Sequence, residues 1–154
     1  ALEFLSLFNS FVFDFTMRQS IGGANLNKYI LKQLPMPAPS VLENYTVEYD
    51  GETEQLDQFL SQRVLQLVWT SHSLDGLQSD TQPAGPFDWN GDRRTTRAEL
   101  EAVVAHLYDV SRDDFSYIID QFEVLRDKEL DKFDTFKTKS EALEKFDMLA
   151  LIVD

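Results

Sequence analysis

The first seventeen residues constrain this chain more than any other feature, because eleven of them are apolar. A helix over residues 1–19 would be apolar on nearly every side, and such a helix is buried within a protein or against a partner. The predicted stripe at helical spacing contains Leu2, Leu5, Phe8, Val12 and Phe15. We therefore expect residues 1–17 to pack into a core of the same protein or to form a dimer contact.

This apolar run does not resemble a membrane segment. Glu3 and Asp14 interrupt it, and neither a basic segment nor a small-residue cleavage site accompanies it. A membrane span needs about 20 apolar residues with few charges. We therefore expect neither a transmembrane helix nor a signal peptide. Because the chain opens inside a helical pattern and without a methionine, we expect it to be a fragment of a larger protein.

Apolar spacing predicts the remaining elements. Helices are predicted over residues 26–34, 52–72, 95–109, 111–122 and 138–152, a strand over 45–49 and a loop over 75–92 anchored by Phe87 and Trp89. The proline-rich run 35–39 predicts an extended linker, and we place a domain boundary there, between residues 1–39 and 40–154. The fold class is therefore mainly α, an irregular assembly of about five to six helices with room for one short β-hairpin.

Capping patterns set the expected helix starts. The predicted caps are Asn25 or Asn27, Ser111 and two boxes of the Thr-x-x-Glu type, Thr96 with Glu99 and Thr138 with Glu141. In the last helix, Glu141 and Lys145 are four residues apart and predict an ion pair. Leu143, Phe146 and Ala150 are predicted to face inward.

Composition limits the chemistry. The chain has no cysteine, so disulfides, thiolate metal sites and a cysteine nucleophile are excluded. Acids outnumber bases by 27 to 14, giving a net charge of −13 and an isoelectric point near 4.4. A chain this acidic should repel nucleic acid unless its few basic residues cluster.

One stretch does cluster basic and amide residues, because no acid lies between Arg18 and Gln33. A glycine pair lets the backbone approach a ligand closely, while Arg and Lys can hold phosphate and Asn and Gln can contact adenine edges. The candidate DNA-contacting residues are Arg18, Gln19, Gly22, Gly23, Asn25, Asn27, Lys28, Lys32 and Gln33. The structural alternative is a glycine turn, an asparagine helix cap and lysines on a solvated helix face.

Other constellations are weaker. Arg93, Arg94 and Arg97 form the densest basic cluster, and their position at a helix start suggests an acidic partner, more readily inside this acidic chain than outside it. The run from Asp88 to Glu99 imitates a calcium loop, but Arg93 occupies the position that needs glycine. The lone histidines, His72 and His106, and the pairs Asp113–Asp114 and Asp120–Glu123 are better explained as edge, cap and surface residues. No phosphate loop, nucleophile elbow or dinucleotide fingerprint is present, so we predict no catalytic residues and no metal site.

Several blocks of this sequence resemble a known family. They are the segments 8–15, 18–19, 22–23, 26–27 and 32–35, followed by 64–67, 70–74, 86–89, 97–102, 106–108, 117–120 and 136–139. The first group is similar to the closing segment of a target-recognition domain, and the second to the C-terminal extension, of type IIG restriction-modification enzymes with an adenine-specific methyltransferase domain. A looser version of the first group ends the specificity subunits of type I systems.

The resemblance implies a cytoplasmic parent enzyme that methylates DNA with S-adenosylmethionine and that in some members also cleaves it. The methyltransferase signature Asn-Pro-Pro-Tyr and any glycine-rich cofactor motif are absent from this chain. The resemblance therefore implies a non-catalytic fragment that binds no cofactor itself and meets DNA within the parent enzyme; the alternative is a helical scaffold for protein–protein contacts. One departure is Tyr108-Asp109, where the family often has Tyr-Gly, so the helix stop before Ser111 is in question.

Overall fold

The computed structural model describes residues 2–21, 27–77, 86–87 and 93–153. The prediction of a mainly α fold is confirmed, with nine α-helices and one three-stranded antiparallel sheet in these ranges. The helices are α1 (Leu2–Phe8), α2 (Phe11–Ser20), α3 (Lys28–Leu31), α4 (Pro39–Leu42), α5 (Leu56–Val68), α6 (Arg93–Leu107), α7 (Arg112–Asp120), α8 (Glu123–Phe133) and α9 (Lys137–Met148). The strands are β1 (Tyr45–Tyr49), β2 (Glu52–Gln55) and β3 (Ala150–Val153), and a 3-10 helix covers His72–Leu77. In the described ranges no helix is long and apolar enough to cross a membrane.

The apolar N-terminal segment is two helices and not one. Ser10 ends α1 and caps α2, because its hydroxyl accepts a hydrogen bond from the N–H of Phe13. The change of direction also changes which side chains are buried, so the predicted stripe is wrong in part. The buried apolar residues of these helices are Leu7, Phe11, Val12 and Phe13, whereas Leu5 is exposed.

The sheet has the order β2-β1-β3, with both neighbours antiparallel to β1. β1 and β2 form a hairpin whose two-residue loop, Asp50 and Gly51, has φ of 53° and 80°. Positive φ at both loop residues is typical of the type I′ turn that Asp-Gly favours. The predicted strand 45–49 is therefore confirmed, whereas the predicted helix 52–72 is wrong at its start, because residues 52–55 pair with β1 before α5 begins.

Helix α6 lies at the centre of the molecule. Ala102, Val103, Val104 and Ala105 are all buried, so consecutive residues face both parts of the core. One part of the core packs α1, α5 and the sheet against α6, and the other packs α2, α7 and α9 against it. Leu7 lies in the same cluster as Leu60 and Val103, which joins the first helix to the later ones. The domain boundary at residue 39 stays a prediction.

Helix α6 also stops at a left-handed residue, although that residue is not glycine. Asp109 has φ of 53°. Its N–H donates to the carbonyl of His106, and the N–H of Val110 donates to the carbonyl of Ala105. These two bonds are the Schellman pattern of a helix C-terminus. The aspartate therefore adopts the conformation that glycine would adopt at lower cost.

The C-terminal third differs most from the sequence prediction. Helix α8 lies outside every predicted helix. Its apolar residues Val124 and Leu130 are exposed and its buried residue is Glu129, so the spacing of its apolar residues does not predict a helix. The predicted helix 138–152 ends at Met148, and residues 150–153 form β3. Leu143 and Phe146 pack partly into the core as predicted, but the inward position of Ala150 is wrong, because Ala150 is exposed and Leu149 is buried.

Both predicted Thr-x-x-Glu caps are wrong. Helix α6 begins three residues before Thr96, and the hydroxyl of Thr138 donates to Glu129 of α8 instead of capping α9. The cap at Ser111 is confirmed, because its hydroxyl accepts from the N–H of Asp114. Phe87 packs edge-to-face on Trp69 with 5.9 Å between ring centroids, while Trp89 lies outside the described residues.

Candidate functional site

The acid-free segment is the predicted DNA contact, and its N-terminal part is held by the chain itself. Arg18 at the end of α2 forms a two-point ion pair with Asp14, at 3.0 and 2.8 Å. Its guanidinium also lies over the ring of Phe122, 5.0 Å from the centroid. Gln19 follows on the exposed face of α2. Arg18 is therefore exposed but not unpaired.

The predicted glycine turn, with Gly22, Gly23 and Asn25, lies outside the described residues. Asn27 is described, and its side-chain oxygen accepts the N–H of Ile30 at 2.9 Å. It is therefore the N-cap of α3, which confirms the capping alternative for this residue.

The two lysines that follow Asn27 differ from Arg18 and Asn27, because their side chains have no bonding partner among the described residues. Lys28 opens α3 and Lys32 follows its last turn, four residues later, and both are exposed. Neither lysine side chain forms a hydrogen bond or ion pair with a described residue. Gln33 is exposed beside them, and Tyr29 between them is 72% exposed. We call Lys28, Tyr29, Lys32 and Gln33 the α3 surface.

The arginine cluster at the start of α6 has internal partners, in keeping with the sequence prediction. Arg93 donates to the carbonyl of Leu67 at 3.0 Å, and Arg94 lies 3.4 Å from a carboxylate oxygen of Glu141. Arg97 lies one turn on, is exposed, and makes no ion pair within 4 Å with a described residue. The predicted pair of Glu141 with Lys145 is therefore wrong, because Glu141 turns to Arg94.

These arginines line a cleft of about 490 Å³ between α2, α6, α8 and α9. We call this space the α6 cleft; its lining residues are Phe11, Arg93, Arg94, Arg97, Ala98, Glu101, Leu125, Glu129, Thr138 and Ala142. A smaller cavity of about 270 Å³ lies on the α1 and α5 side of the same helix. Arg97 and Glu101 line both.

Glu101 is an ionisable residue inside the core, with 8% of its surface exposed. Burial is the largest effect and raises its pKa from the ordinary value of 4.5 to about 8. The hydrogen bond from Phe11 and the nearby charge of Arg97 lower the pKa, but by less than burial raises it. Asp14 adds a smaller upward shift. A carboxyl group with such a pKa is protonated in a large fraction of molecules near neutral pH.

A second polar cluster holds the sheet to the helices, and no local sequence pattern predicts it. Glu99 of α6 accepts from Arg63 at 2.7 Å and from the hydroxyl of Tyr49 at 3.1 Å. Lys145 donates to the same hydroxyl at 2.7 Å, and Glu54 lies 3.3 Å from Arg63. Glu99 and Lys145 are far in the sequence from Tyr49, Glu54 and Arg63, so only tertiary packing brings the cluster together. Every charge in this cluster has a partner, which is typical of a structural network.

The remaining polar candidates are structural. His106 is hydrogen-bonded to the carbonyl of Phe146 and stacks on its ring, while His72 lies 3.3 Å from Asp75. Asp114 accepts from Ser111, and Asp120 pairs with Lys139. Within the described ranges no group of three or more His, Asp or Glu side chains is arranged to hold a metal ion. Of the calcium-loop pattern, Asp88, Asn90 and Asp92 lie outside these ranges.

Comparisons with known proteins identify no relative. No family model, no curated protein and no solved structure matches this chain. The resemblance to restriction-modification enzymes therefore stays a prediction that depends on the sequence motifs alone.

Proposed function

We propose that this chain is a non-catalytic part of a cytoplasmic, S-adenosylmethionine-dependent DNA methyltransferase of the restriction-modification kind, and that it helps to position DNA through the α3 surface. The motif resemblance supports the parent enzyme. The observation that supports a DNA contact is the state of Lys28 and Lys32, which are exposed and have no acidic partner among the described residues.

The rest of the charge distribution makes that observation informative. Lys128 and Lys132 on α8 are also exposed and without a carboxylate ion pair, but α8 carries four acidic residues of its own, whereas no acid lies between Arg18 and Gln33. Ion pairs with carboxylates involve Arg18, Arg63, Arg94, Arg112, Arg126 and Lys139. Two neighbouring lysines without such a partner can neutralise phosphates, and an exposed tyrosine between them can stack on a base or sugar.

The total charge argues that the chain positions DNA and does not capture it alone. Phosphate contacts must overcome repulsion from the acidic surface, and a single lysine pair supplies few of them. We therefore expect weak, salt-sensitive binding by this chain and tight binding only by the parent enzyme.

Fluorescence anisotropy with a labelled duplex at low salt tests this proposal. The double variant Lys28→Gln/Lys32→Gln should weaken binding and reduce the slope of log K against log salt by roughly 1.8, because each lysine–phosphate pair contributes about 0.9 to that slope. The matched control is Lys128→Gln/Lys132→Gln, an exposed pair with the same spacing on α8. An equal loss of affinity in both double variants would show that only net charge matters, and nanomolar binding by the isolated chain would contradict the positioning role.

The parent enzyme is tested separately, at the level of the gene. The reading frame upstream of Ala1 should encode an Asn-Pro-Pro-Tyr motif. A frame without it would contradict the methyltransferase assignment and leave the α3 surface to be judged by its own binding data.

A second candidate function is assembly through α1. Phe4 is 49% and Leu5 42% exposed on this helix, and Phe4 stacks on Phe8 with 5.4 Å between centroids. Grooves of about 340 and 270 Å³ flank α1 on its two sides. Exposed aromatic and aliphatic residues beside grooves are typical of an interaction surface. In this protein the surface of α1 would bind another part of the parent enzyme or a second copy of this chain.

Light scattering after size-exclusion chromatography, at several concentrations, tests the assembly alternative. Self-association that Phe4→Ser/Leu5→Ser abolishes would support α1 as the contact. A monomer at all concentrations in both proteins would exclude the dimer, and association unchanged by the substitutions would place the contact elsewhere.

A further inference from the structure

The α6 cleft has the size and lining of a small-molecule site. Its volume of about 490 Å³ falls in the range of about 300–1,000 Å³ found for ligand pockets. The apolar part of its wall is made by Phe11, Ala98, Leu125 and Ala142. Phe11, Ala98 and Ala142 are well buried, so this wall is a fixed part of the core and not a mobile surface.

The polar part of the wall is positive, although the chain as a whole is strongly negative. Three arginines line the cleft against two carboxyl groups, those of Glu101 and Glu129. The two oxygens of Glu129 accept from the N–H and the hydroxyl of Thr138 at 2.8 and 2.7 Å, so this carboxylate is already held on the α9 side of the cleft. Arg97 lines the cleft without an ion pair within 4 Å to a described residue, and its charge acts on the carboxyl group of Glu101.

Two groups in the cleft retain unused hydrogen-bonding capacity toward the described residues. The Arg97 side chain forms no hydrogen bond and no ion pair within 4 Å with a described residue. Glu101 is more than nine-tenths buried, yet only its Oε2 is bonded, to the N–H of Phe11 at 2.8 Å, and no described residue donates to Oε1. A carboxyl oxygen that lines a cavity and has no donor among the described residues can accept a hydrogen bond from a ligand or from water.

We propose that the α6 cleft binds a phosphate monoester with an apolar body, such as a nucleoside monophosphate. Arg97 would hold the phosphate, with the positive charge of Arg93 and Arg94 beside it, since guanidinium groups match phosphate geometry in two-point hydrogen bonds. The body would pack on Phe11 and Leu125 and place a polar group against Glu101. This inference does not depend on the proposed DNA contact, because none of the residues of the α3 surface lines the cleft.

Isothermal titration calorimetry of the full chain with adenosine monophosphate tests the site. We expect one molecule to bind per chain with a dissociation constant below about 1 mM. Arg97→Gln should weaken binding at least about tenfold, as expected when a charge-assisted hydrogen bond is removed. The Arg97 side chain is exposed and makes no hydrogen bond with a described residue, so this variant should fold normally. The matched control is Arg112→Gln, an exposed arginine on α7 that does not line the cleft and should change nothing.

Further titrations separate the parts of the proposal. Adenosine should bind far more weakly than the monophosphate, and equal binding would overturn the assignment of a phosphate site. Inorganic phosphate should also bind more weakly, and equal binding would overturn the apolar body. A 5′-phosphorylated single-stranded hexamer that displaces the nucleotide would identify a strand end as the source of the phosphate, and failure to displace it would identify a free nucleotide. Absence of binding up to about 10 mM nucleotide, or an Arg97→Gln protein equal to the wild type, would overturn the proposal as a whole.

Discussion

Glu101 of α6 accepts a hydrogen bond from the backbone N–H of Phe11, the first residue of α2, with 2.8 Å between Oε2 and N. This bond satisfies one of the free N–H groups at the start of α2, ninety residues earlier in the chain. A side chain of the central helix thereby fixes the point at which the apolar N-terminal segment changes direction.

Glu101 should make the stability of the fold depend on pH. Burial raises its pKa to about 8, above the ordinary 4.5, so the folded state holds the proton more tightly than the unfolded chain. The stabilisation from this proton is complete below pH 4.5 and is lost as the pH rises through 8. Glu101→Gln keeps an acceptor for Phe11 without titrating, so the stability of this variant relative to the wild type should rise by about 4 kcal/mol between about pH 5 and about pH 9.

Urea denaturation of both proteins at about pH 5, 7 and 9 measures this difference. Comparison of variant with wild type at each pH removes the contribution of all other titrating groups. A difference that stays constant with pH would show that Glu101 is ionised in the folded state throughout.

The left-handed helix stop predicts a stabilising substitution. Asp109 has φ of 53°, where a β-carbon is strained, so Asp109→Gly should raise the free energy of unfolding by about 1 kcal/mol. The control is Asp113→Gly in the right-handed first turn of α7, which should lower the free energy by a similar amount. Thermal denaturation of both measures the effect, and a decrease in stability for Asp109→Gly would mean that the aspartate side chain contributes more than its backbone strain costs.

The polar network around Glu99 should contribute more than a surface ion pair. The side chains of Glu99 and Arg63 are only 13% and 15% exposed, so Glu99→Ala removes the shorter of the two ion pairs of Arg63, leaves Glu54 as its remaining carboxylate and should cost about 2 kcal/mol. Asp147→Ala removes the exposed partner of Arg112 and should cost less than about 1 kcal/mol. Chemical denaturation compares the two, and similar costs would indicate that water screens the network as it does the surface pair.

The break between α1 and α2 predicts a further pair of results. Ser10→Ala removes the hydroxyl that accepts from Phe13 and should cost about 1 kcal/mol. Thr96→Ala removes the threonine of a pattern typical of a cap, but Thr96 lies inside α6 and should be neutral or slightly stabilising, because alanine favours helices. Circular dichroism at increasing urea concentration measures both, and equal costs would mean that Thr96 acts as a helix cap after all.

The sequence could predict those parts of the fold that depend on residues close together in the chain. The Ser111 cap, the Asn27 cap and the strand 45–49 depend on neighbouring residues and are confirmed. The Asp50-Gly51 turn is an equally local signal, and it favours β2 over the helical spacing that follows it. Helix α8 has no such signal, because its buried residue is Glu129, which bonds to Thr138 of the next helix.

The candidate sites divide in the same way. Residue types and spacing are enough to select Lys28 and Lys32 and the arginines of α6. Whether each side chain is paired depends on neighbours distant in the sequence. Glu141 pairs with Arg94, while the side chains of Lys28, Lys32 and Arg97 make no hydrogen bond or ion pair with a described residue. The α6 cleft and the burial of Glu101 arise from the packing of four helices, so the sequence of no single segment predicts them.

The sequence by itself therefore determined the helical class, the acidic surface, the absence of thiol chemistry and two of the helix caps, because each depends on composition or on residues within one turn. Only the tertiary structure decided where the N-terminal segment bends, that the last residues form β3, and which carboxylate pairs with which arginine. These features depend on contacts between residues far apart in the chain, and their free energy exists only when the helices pack around α6.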